Sequence, residues 1–232
     1  HTRYISVTGV QTCALPISYM KILAFGLTDK GRVRPGNEDS LLVDVGMNLY
    51  IVADGMGGHA GGDVASQLVT EEIQKYCLAN ASEPARLRLQ SAIIRANETI
   101  YQMGQEDPNL TGMGTTVVVV LIEDGVAYIA QVGDSRVYLF AEGGGWLLTE
   151  DQSVVQEAVR AGELSPEEAE TCEHKNVVTN AVGTFPQMVR EVHLYRRVLK
   201  PGDQLLLCSA VLSGLVRTAE MTETTTSQSL EE

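Results

Sequence analysis

Three short stretches of the sequence place acidic residues among glycines where an apolar run ends. They are TDKGRVRPGNEDS (28–40), VADGMGGHAGGDVAS (52–66) and GDSR (133–136). In the second stretch Asp54 directly follows the apolar run LYIVA, so its carboxylate is expected to be partly buried and to need a partner. Carboxylates, backbone carbonyls and water are the ligands that Mg²⁺ and Mn²⁺ prefer. Taken alone, this stretch fits a divalent metal site and, equally, a glycine-rich turn that Asp54 caps.

The other two stretches carry further charged side chains with two interpretations each. Glu38 and Asp39 are adjacent, and two neighbouring carboxylates repel each other unless a cation lies near them. Arg34 lies four residues before Glu38, and its planar guanidinium could hold a phosphate. The alternative for this stretch is a solvated charged loop. In the third stretch, Asp134 could simply bond the Ser135 hydroxyl and backbone amides in an Asx turn.

Several other chemistries are poorly supported by the sequence. His59 has no second histidine or cysteine at ligand spacing, which argues against zinc. The run GMGGHAGG (55–62) lacks the Lys-Ser/Thr that closes a phosphate-binding P-loop. Ser66, Ser135 and Ser209 do not lie in a G-x-S-x-G nucleophile elbow. Nucleophilic serine catalysis and zinc chemistry are therefore disfavoured.

Composition narrows the class of protein further. The 232 residues are 44% hydrophobic and carry a net charge of −13, which disfavours general electrostatic binding to nucleic acid. No run approaches the roughly 18 apolar residues of a membrane span. The four cysteines are far apart without a C-x-x-C pair, which fits a reducing compartment. We predict a cytoplasmic monomer with no nucleic-acid or membrane partner.

The pattern of apolar residues predicts a strand-rich domain with two inserted helices. One helix follows Asp63, its predicted N-cap, and the other runs from near Ser82 to about Gln105. Residues 151–175 are polar and weakly helical. Long strand meanders around two helices indicate a single α+β domain. The predicted strands are 21–27, 41–45, 49–53, 115–122, 126–132, 136–140, 146–148, 189–199 and 204–208.

Taken together and in order, these stretches resemble the metal-dependent protein phosphatases of the type 2C class, in their bacterial form. Four more motifs carry the resemblance: GMGTTVVVV (112–120), AQVGDSRVYLF (130–140), LTEDQSVVQEAVRAGELSPEEAE (148–170) and NVVTNAVGT (176–184). It covers about 21–216 and is specific, because several long motifs occur in the right order and spacing. It implies a four-layer α-β-β-α sandwich of two antiparallel sheets flanked by helix pairs.

The resemblance also implies a dinuclear Mn²⁺ or Mg²⁺ centre in a cleft at one end of the sandwich. By position, Asp54 would bridge the two metals and Gly55 would offer its carbonyl oxygen. Glu38 would bind one of the metals. Asp134 matches the family position that helps to hold a third metal.

The implied reaction is the hydrolysis of phosphoserine or phosphothreonine in phosphoprotein substrates. Arg34 would bind the substrate phosphate, and Asp39 would hold a metal-bound water. In the family, a metal-bound hydroxide attacks phosphorus in line without a phosphoenzyme, and residues near 151–180 form a flap beside the cleft. The resemblance also implies a cognate serine/threonine kinase as a partner.

The sequence departs from the family pattern at several positions. Ala210 and Val211 stand where the family pattern S-D-G-L-S-G-L-V has Asp-Gly, whose Asp is a metal ligand. The family's Asp-Asn pair before a final strand is not found before Glu232. Gln152 replaces the usual His of the flap motif and Asn180 the usual Arg, and these two changes are expected to matter less.

These departures lead to expectations for the whole chain. We expect fewer metals than in the family, impaired catalysis, and a missing last strand that leaves a sheet edge unpaired. Residues 1–18 contain VTGVQTCALPIS, which resembles a translated sequencing adapter, so we expect a non-native leader followed by one truncated domain over 19–232. The alternatives are a catalytically dead pseudophosphatase that binds phosphoproteins or regulates a kinase, and a fragment without function.

Overall fold

Two antiparallel sheets packed face to face form the centre of the protein. The computed structural model describes residues 4–10, 21–31, 36–56, 61–188, 190–216 and 218–227. Over these residues each sheet has five strands, in the orders β2-β1-β10-β7-β8 and β3-β4-β5-β6-β9. The strands are β1 Tyr4–Val10, β2 Lys21–Leu27, β3 Asp39–Asp44, β4 Leu49–Met56, β5 Gly114–Glu123, β6 Val126–Val132, β7 Arg136–Ala141, β8 Gly144–Leu147, β9 His193–Val198 and β10 Gln204–Cys208.

Helices cover the outer face of both sheets. The helices are α1 Gly62–Ala79, α2 Ala85–Glu106, α3 Val154–Ala161, α4 Pro166–Thr171, α5 Ala210–Leu215 and α6 Thr218–Ser227, with a 3₁₀ turn at Pro108–Leu110. The long helices α1 and α2 pack on the second sheet, and α5 and α6 pack on the first. The predicted α+β class and four-layer α-β-β-α sandwich are therefore confirmed.

The alternation of side chains along the central strands explains the layers. In β4, Leu49, Ile51 and Ala53 point toward α1 and α2, whereas Tyr50 and Val52 point toward the first sheet. Successive side chains of a strand face opposite sides, so an uninterrupted apolar run fills two cores at once. The core between the sheets contains Tyr50, Val52, Val118, Val120, Ile122, Ala127, Ile129, Val137, Leu139, Leu205 and Leu207.

The strand β1 lies inside the first sheet. Its residues pair with β2 on one side and with β10 on the other, with Tyr4 opposite both Leu27 and Cys208. The strand β10 therefore has neighbours on both sides, β1 and β7. No strand is predicted for this segment from the sequence, because its apolar residues show no clear period and part of it resembles a translated adapter. That residues 1–18 are a non-native leader stays a prediction.

Several predicted element boundaries were wrong: β4 continues past residue 53 to Met56, α2 begins at Ala85 rather than near Ser82, and two larger differences concern α1 and β9. The helix α1 has Gly61 as its N-cap, and Asp63 lies in the first turn, where its carboxylate accepts from the Val64 amide at 2.8 Å. The helix begins earlier because Gly62 packs directly on Gly55, where an added Cβ would lie 3.1 Å from the Gly55 carbonyl carbon.

The other boundary is that of the predicted strand 189–199, which is shorter in the structure. The strand β9 begins only at His193. Just before it, the carbonyl oxygens of Arg190 and Glu191 accept hydrogen bonds from buried side chains of another segment. These two residues are therefore held by side chains rather than by a neighbouring strand. None of the helices over the described ranges is long and apolar enough to cross a membrane.

Candidate active site

The pairing of β3 with β4 brings two of the predicted site residues together. Asp39 and Asp54 are directly opposite each other in this antiparallel pair, at the end where β3 begins. Residues that face each other across an antiparallel pair have Cβ atoms roughly 5 Å apart and project from the same face of the sheet. The two carboxylates are therefore neighbours, although fifteen positions separate them in the chain.

Glu38 is joined to Gly55 at the same end of the sheet. The Gly55 amide donates to the Glu38 carbonyl oxygen at 3.0 Å. A Cβ on Gly55 would overlap both that oxygen and the Gly62 carbonyl oxygen at the start of α1. Only glycine allows strand, loop and helix to meet this closely. The packing thus gathers Glu38, Asp39, Asp54 and Gly55 into one corner of the second sheet.

The turn between β6 and β7 brings Asp134 to the same edge. Thr116 of β5 is the register partner of Asp54, and its hydroxyl lies 2.8 Å from the Ser135 hydroxyl. Gly133 has φ +93°, and an added Cβ would lie 2.6 Å from Thr116 Cγ2. The Asp54 strand and the Asp134 turn are therefore both fixed on Thr116.

Asp134 is a buried carboxyl group in a negative environment. It is only 8% exposed, and its pKa is raised to about 7, chiefly by burial and then by the charges of Asp151 and Asp54. Arg136 lowers this pKa, but its Nε and Nη2 atoms are bonded to the Asp151 carboxylate at 2.9 and 2.6 Å. A nearby cation would favour the ionised form of Asp134.

The oxygen donors in this corner fit a hard divalent cation. Among the residues that the structure describes, no three Asp, Glu, His or Cys side chains converge into a ready-made ligand set. Mg²⁺ nevertheless is commonly held by one or two carboxylates while it keeps several waters. The carboxylates of Glu38 and Asp54 with the Gly55 carbonyl are suited to such a cation, rather than to a metal enclosed entirely by protein.

Ala210 lies level with the Asp134 turn. Cys208, the last residue of β10, is the register partner of Arg136, the first residue of β7, so the two residues after β10 leave the sheet at the end where Ser135 and Asp134 precede β7. The chain enters α5 at Ala210, whose methyl group has no atom that could bind a metal. A carboxylate at this position would face the same corner as Asp134.

The structure also gives Gln152 more contacts than its sequence position indicated. Gln152 and Asn180 are each 4% exposed and are bonded to each other, with Asn180 Nδ2 donating to Gln152 Oε1 at 3.0 Å. The same Oε1 atom accepts from the Gly133 amide at 2.9 Å. The signal in the sequence was the paired departure from the flap motif. Arg34, in contrast, lies outside the described residues.

Three comparisons with known proteins give the family. Residues 35–210 match the protein phosphatase 2C family. The serine/threonine phosphatase stp of Listeria innocua is 38% identical over 203 residues, which are 84% of this chain and 80% of that protein.

Solved structures give the same result. The chain resembles the serine/threonine phosphatase Stp1 of Staphylococcus aureus with a TM-score of 0.80 and 33% identity, over 88% of this chain and 83% of that one. The catalytic domain of the serine/threonine protein phosphatase PstP in complex with two manganese ions matches with a TM-score of 0.71 and 29% identity, over 97% of this chain and 91% of that one.

The chain therefore belongs to the protein phosphatase 2C family. Members of this family are Mn²⁺- or Mg²⁺-dependent protein serine/threonine phosphatases, which hydrolyse phosphoric monoesters in phosphoproteins. The predictions of family, enzyme class and metal dependence are confirmed.

Proposed function

We propose that Glu38, Asp54 and the Gly55 carbonyl hold Mn²⁺ or Mg²⁺ at the corner of the second sheet, and that Asp134 supports a further cation beside them. The observation that carries this proposal is the register of β3 and β4, which sets Asp39 against Asp54. The bond from the Gly55 amide to the Glu38 carbonyl supports it, because it fixes a carbonyl and a carboxylate donor side by side.

The remaining site residues orient the reactants in this proposal. Asp39 accepts a hydrogen bond from the attacking water and thereby aims it, and Arg34 holds the phosphate of a phosphoserine or phosphothreonine. A bound divalent cation supplies Lewis-acid stabilisation of the charge that develops on the phosphoryl oxygens. Thr116 and Gly133 keep the Asp54 strand and the Asp134 turn at a constant separation through their close packing.

We further propose that cation affinity and activity of this chain are lower than the family pattern implies. The support is the place of Ala210, beside the Asp134 turn in the register of β7 and β10. One carboxylate fewer at this edge means weaker binding of a doubly charged ion.

The cellular setting belongs to the same proposal. We place the protein in the cytosol as a monomer that acts on phosphoproteins and opposes a serine/threonine kinase, without nucleic-acid or membrane partners. The support is the acidic composition, with a net charge of −13, and the scattered cysteines.

Substitution of Asp54 tests the proposed centre. Loss of a residue that only supports a metal ligand costs about 10–100-fold in affinity or activity. Loss of a proposed ligand in Asp54→Asn is therefore expected to lower Mn²⁺-dependent hydrolysis of p-nitrophenyl phosphate by at least about 100-fold. The matched control is Asp124→Asn, an exposed turn residue with φ +51° that asparagine tolerates, and it should retain full activity. Equal activity of both variants and the unsubstituted chain would refute the centre.

Restoring the family's Asp-Gly tests the proposed deficit. The double change Ala210→Asp/Val211→Gly should tighten Mn²⁺ binding about tenfold in calorimetry, since it adds a carboxylate beside Asp134. Val211→Gly alone is the control and should leave Mn²⁺ affinity unchanged. A restored chain that is folded and binds Mn²⁺ but hydrolyses no phosphomonoester would favour a phosphoprotein-binding module instead.

A further inference from the structure

Gln152 is buried between three segments of the chain, and its polar atoms are all hydrogen-bonded. It lies between β8 and α3 and is 4% exposed. Its Nε2 donates to the Glu191 carbonyl oxygen at 3.0 Å, and its own carbonyl oxygen accepts from the Thr179 amide at 2.8 Å. A buried carboxamide with every partner in place holds its surroundings in one arrangement.

The bonds to Gly133 act on both sides of that residue. Gln152 Oε1 accepts from the Gly133 amide at 2.9 Å, and the Gln152 amide donates to the Gly133 carbonyl oxygen at 3.0 Å. These atoms belong to the two peptide groups that flank the Gly133 Cα, and the second of these peptides leads directly into Asp134. The Gln152 side chain therefore holds the peptide group before Gly133, whereas the main chain of residue 152, with Gln131 Nε2 at 3.4 Å, holds the peptide group after it.

The bond from the Gln152 side chain matters more because residue 133 is a glycine. Gly133 has φ +93°, and a residue without a Cβ rotates about its backbone bonds more freely than any other. Without the Gln152 side chain, rotation of the peptide group before Gly133 would be less restricted. The start of the Asp134 turn would then be held less firmly relative to Asp54.

The same carboxamide ties the turn to the segment that carries α3 and α4. Ser153 and Val178 form an isolated antiparallel bridge, so the chain leaves and returns beside Gln152. The Asn180 carboxamide, on the returning chain, donates to Gln152 Oε1 at 3.0 Å. The segment 153–178, which contains α3 and α4, therefore begins and ends next to Gln152, the residue bonded to Gly133.

We propose that Gln152 is a positioning residue that holds the Asp134 turn in place for a divalent cation. Through the same contacts it links the segment 153–178, which contains α3 and α4, to that turn. This inference rests on the proposed function, because it takes Asp134 as part of the cation site. Gln152 is suited to the role because a neutral amide holds the turn without adding to the charges of Asp134, Asp54 and Asp151.

The test compares Gln152→Leu with a matched buried amide. Asn97 on α2 is 2% exposed, accepts from the Gly183 amide at 2.8 Å and donates to the Phe185 carbonyl oxygen at 3.0 Å. Asn97→Leu should therefore destabilise the fold about as much as Gln152→Leu. Only Gln152→Leu should weaken Mn²⁺ binding, about tenfold by calorimetry, because Gln152 is bonded to the Asp134 turn and Asn97 is not.

Hydrogen exchange without metal gives a second readout that is independent of activity. In Gln152→Leu the Gly133 amide should lose its protection from exchange, while in Asn97→Leu it should stay protected. Gln152→Glu keeps the oxygen that accepts from Gly133 and loses the donor to Glu191. It should retain Gly133 protection, and it carries the test if Gln152→Leu does not fold.

The outcomes separate this inference from the proposed function. An unsubstituted chain that binds no Mn²⁺ overturns both. A chain whose Mn²⁺ affinity falls with Asp54→Asn but not with Gln152→Leu overturns the positioning role alone. Loss of Gly133 protection in Gln152→Glu, or an equal loss of Mn²⁺ affinity in Asn97→Leu, also overturns it.

Discussion

Arg88 and Asp134 are both buried ionisable residues, but their surroundings have opposite effects on their charges. Arg88 on α2 is 3% exposed, and its Nη2 bonds the Glu123 carboxylate while its Nη1 donates to the Ala81 carbonyl oxygen at 2.9 Å. Asp134 is 8% exposed, and its pKa is raised to about 7, first by burial and then by the charges of Asp151 and Asp54. The charge of Arg88 is balanced by groups of the protein, whereas the neighbours of Asp134 make its ionised form less favourable.

The difference is the one expected between a structural charge and the charge of the proposed site. A buried charge that is paired and hydrogen-bonded contributes to one defined fold. A buried carboxylate among other carboxylates destabilises the fold unless a cation is present, and such perturbed groups cluster at functional sites. The contrast between Arg88 and Asp134 can be tested by substitution on each side.

The largest expected effect is on the Arg88 side. Arg88→Ala should lower the free energy of unfolding by about 3 kcal/mol, because it leaves a cavity where the buried arginine stem packed and leaves the Ala81 carbonyl oxygen without its donor. Urea denaturation measures this loss. Arg95→Ala on the same helix is the control, since its ion pair with Glu98 is exposed and should change stability by only about 0.5 kcal/mol. Mn²⁺ affinity should be unchanged in both, and a large change in Arg88→Ala would erase the contrast.

The effect of Asp134→Asn should have the opposite sign and depend on pH. Because the pKa of Asp134 is raised to about 7 in the folded state, the folded protein binds more protons than the unfolded one between about pH 4 and pH 7. Its stability therefore falls as pH rises through that window. Without metal, Asp134→Asn should stabilise the protein by about 2 kcal/mol at pH 8 and by almost nothing at pH 4.

Thermal unfolding across this pH range checks the prediction for Asp134. Saturating Mn²⁺ should shrink or reverse the stabilisation, because the unsubstituted carboxylate then has a cation beside it. Asp124→Asn should show no such pH-dependent gain. If Asp134→Asn destabilises equally at pH 4 and pH 8, the carboxylate is not a source of strain in the fold.

The smallest effect on stability is expected from Tyr195, which contacts the Asp134 turn only through Gln131. Its hydroxyl donates to Gln131 Oε1 at 3.1 Å, and Gln131 Nε2 donates to the Ser135 carbonyl oxygen at 3.0 Å. Tyr195→Phe should cost about 1 kcal/mol in urea denaturation and change Mn²⁺ affinity less than threefold. A tenfold change in affinity would show that the turn is held by this outer network rather than by Gln152.

The sequence predicted the elements well and their contacts poorly. Apolar runs such as 115–122 lie between clear turn signals, so their strands could be read directly from composition and period. That Asp39 faces Asp54 depends on the register of two strands, which no local pattern contains. Only the resemblance to a family placed these carboxylates in one site.

Gln152 shows a second limit of sequence reasoning. Its replacement of the usual His of the flap motif is expected from the sequence to matter less than the loss of a metal ligand. The structure gives it bonds to Gly133, Asn180 and Glu191, which are far apart in the chain. The importance of such a residue follows from the segments that it joins, and these become visible only in the folded chain.

The proposed site depends on the length of the turn between β3 and β4. Residues 45–48 form this turn, with Val45 54% exposed and Asn48 at φ +50°, and Asp44 pairs with Leu49 at its base. The turn lies five residues, or roughly 17 Å, from Asp39. One inserted residue that shifted the register would send Asp39 to the opposite face of the sheet. Lengthening this turn would therefore disturb a site roughly 17 Å away, even though none of its own side chains belongs to the proposed site.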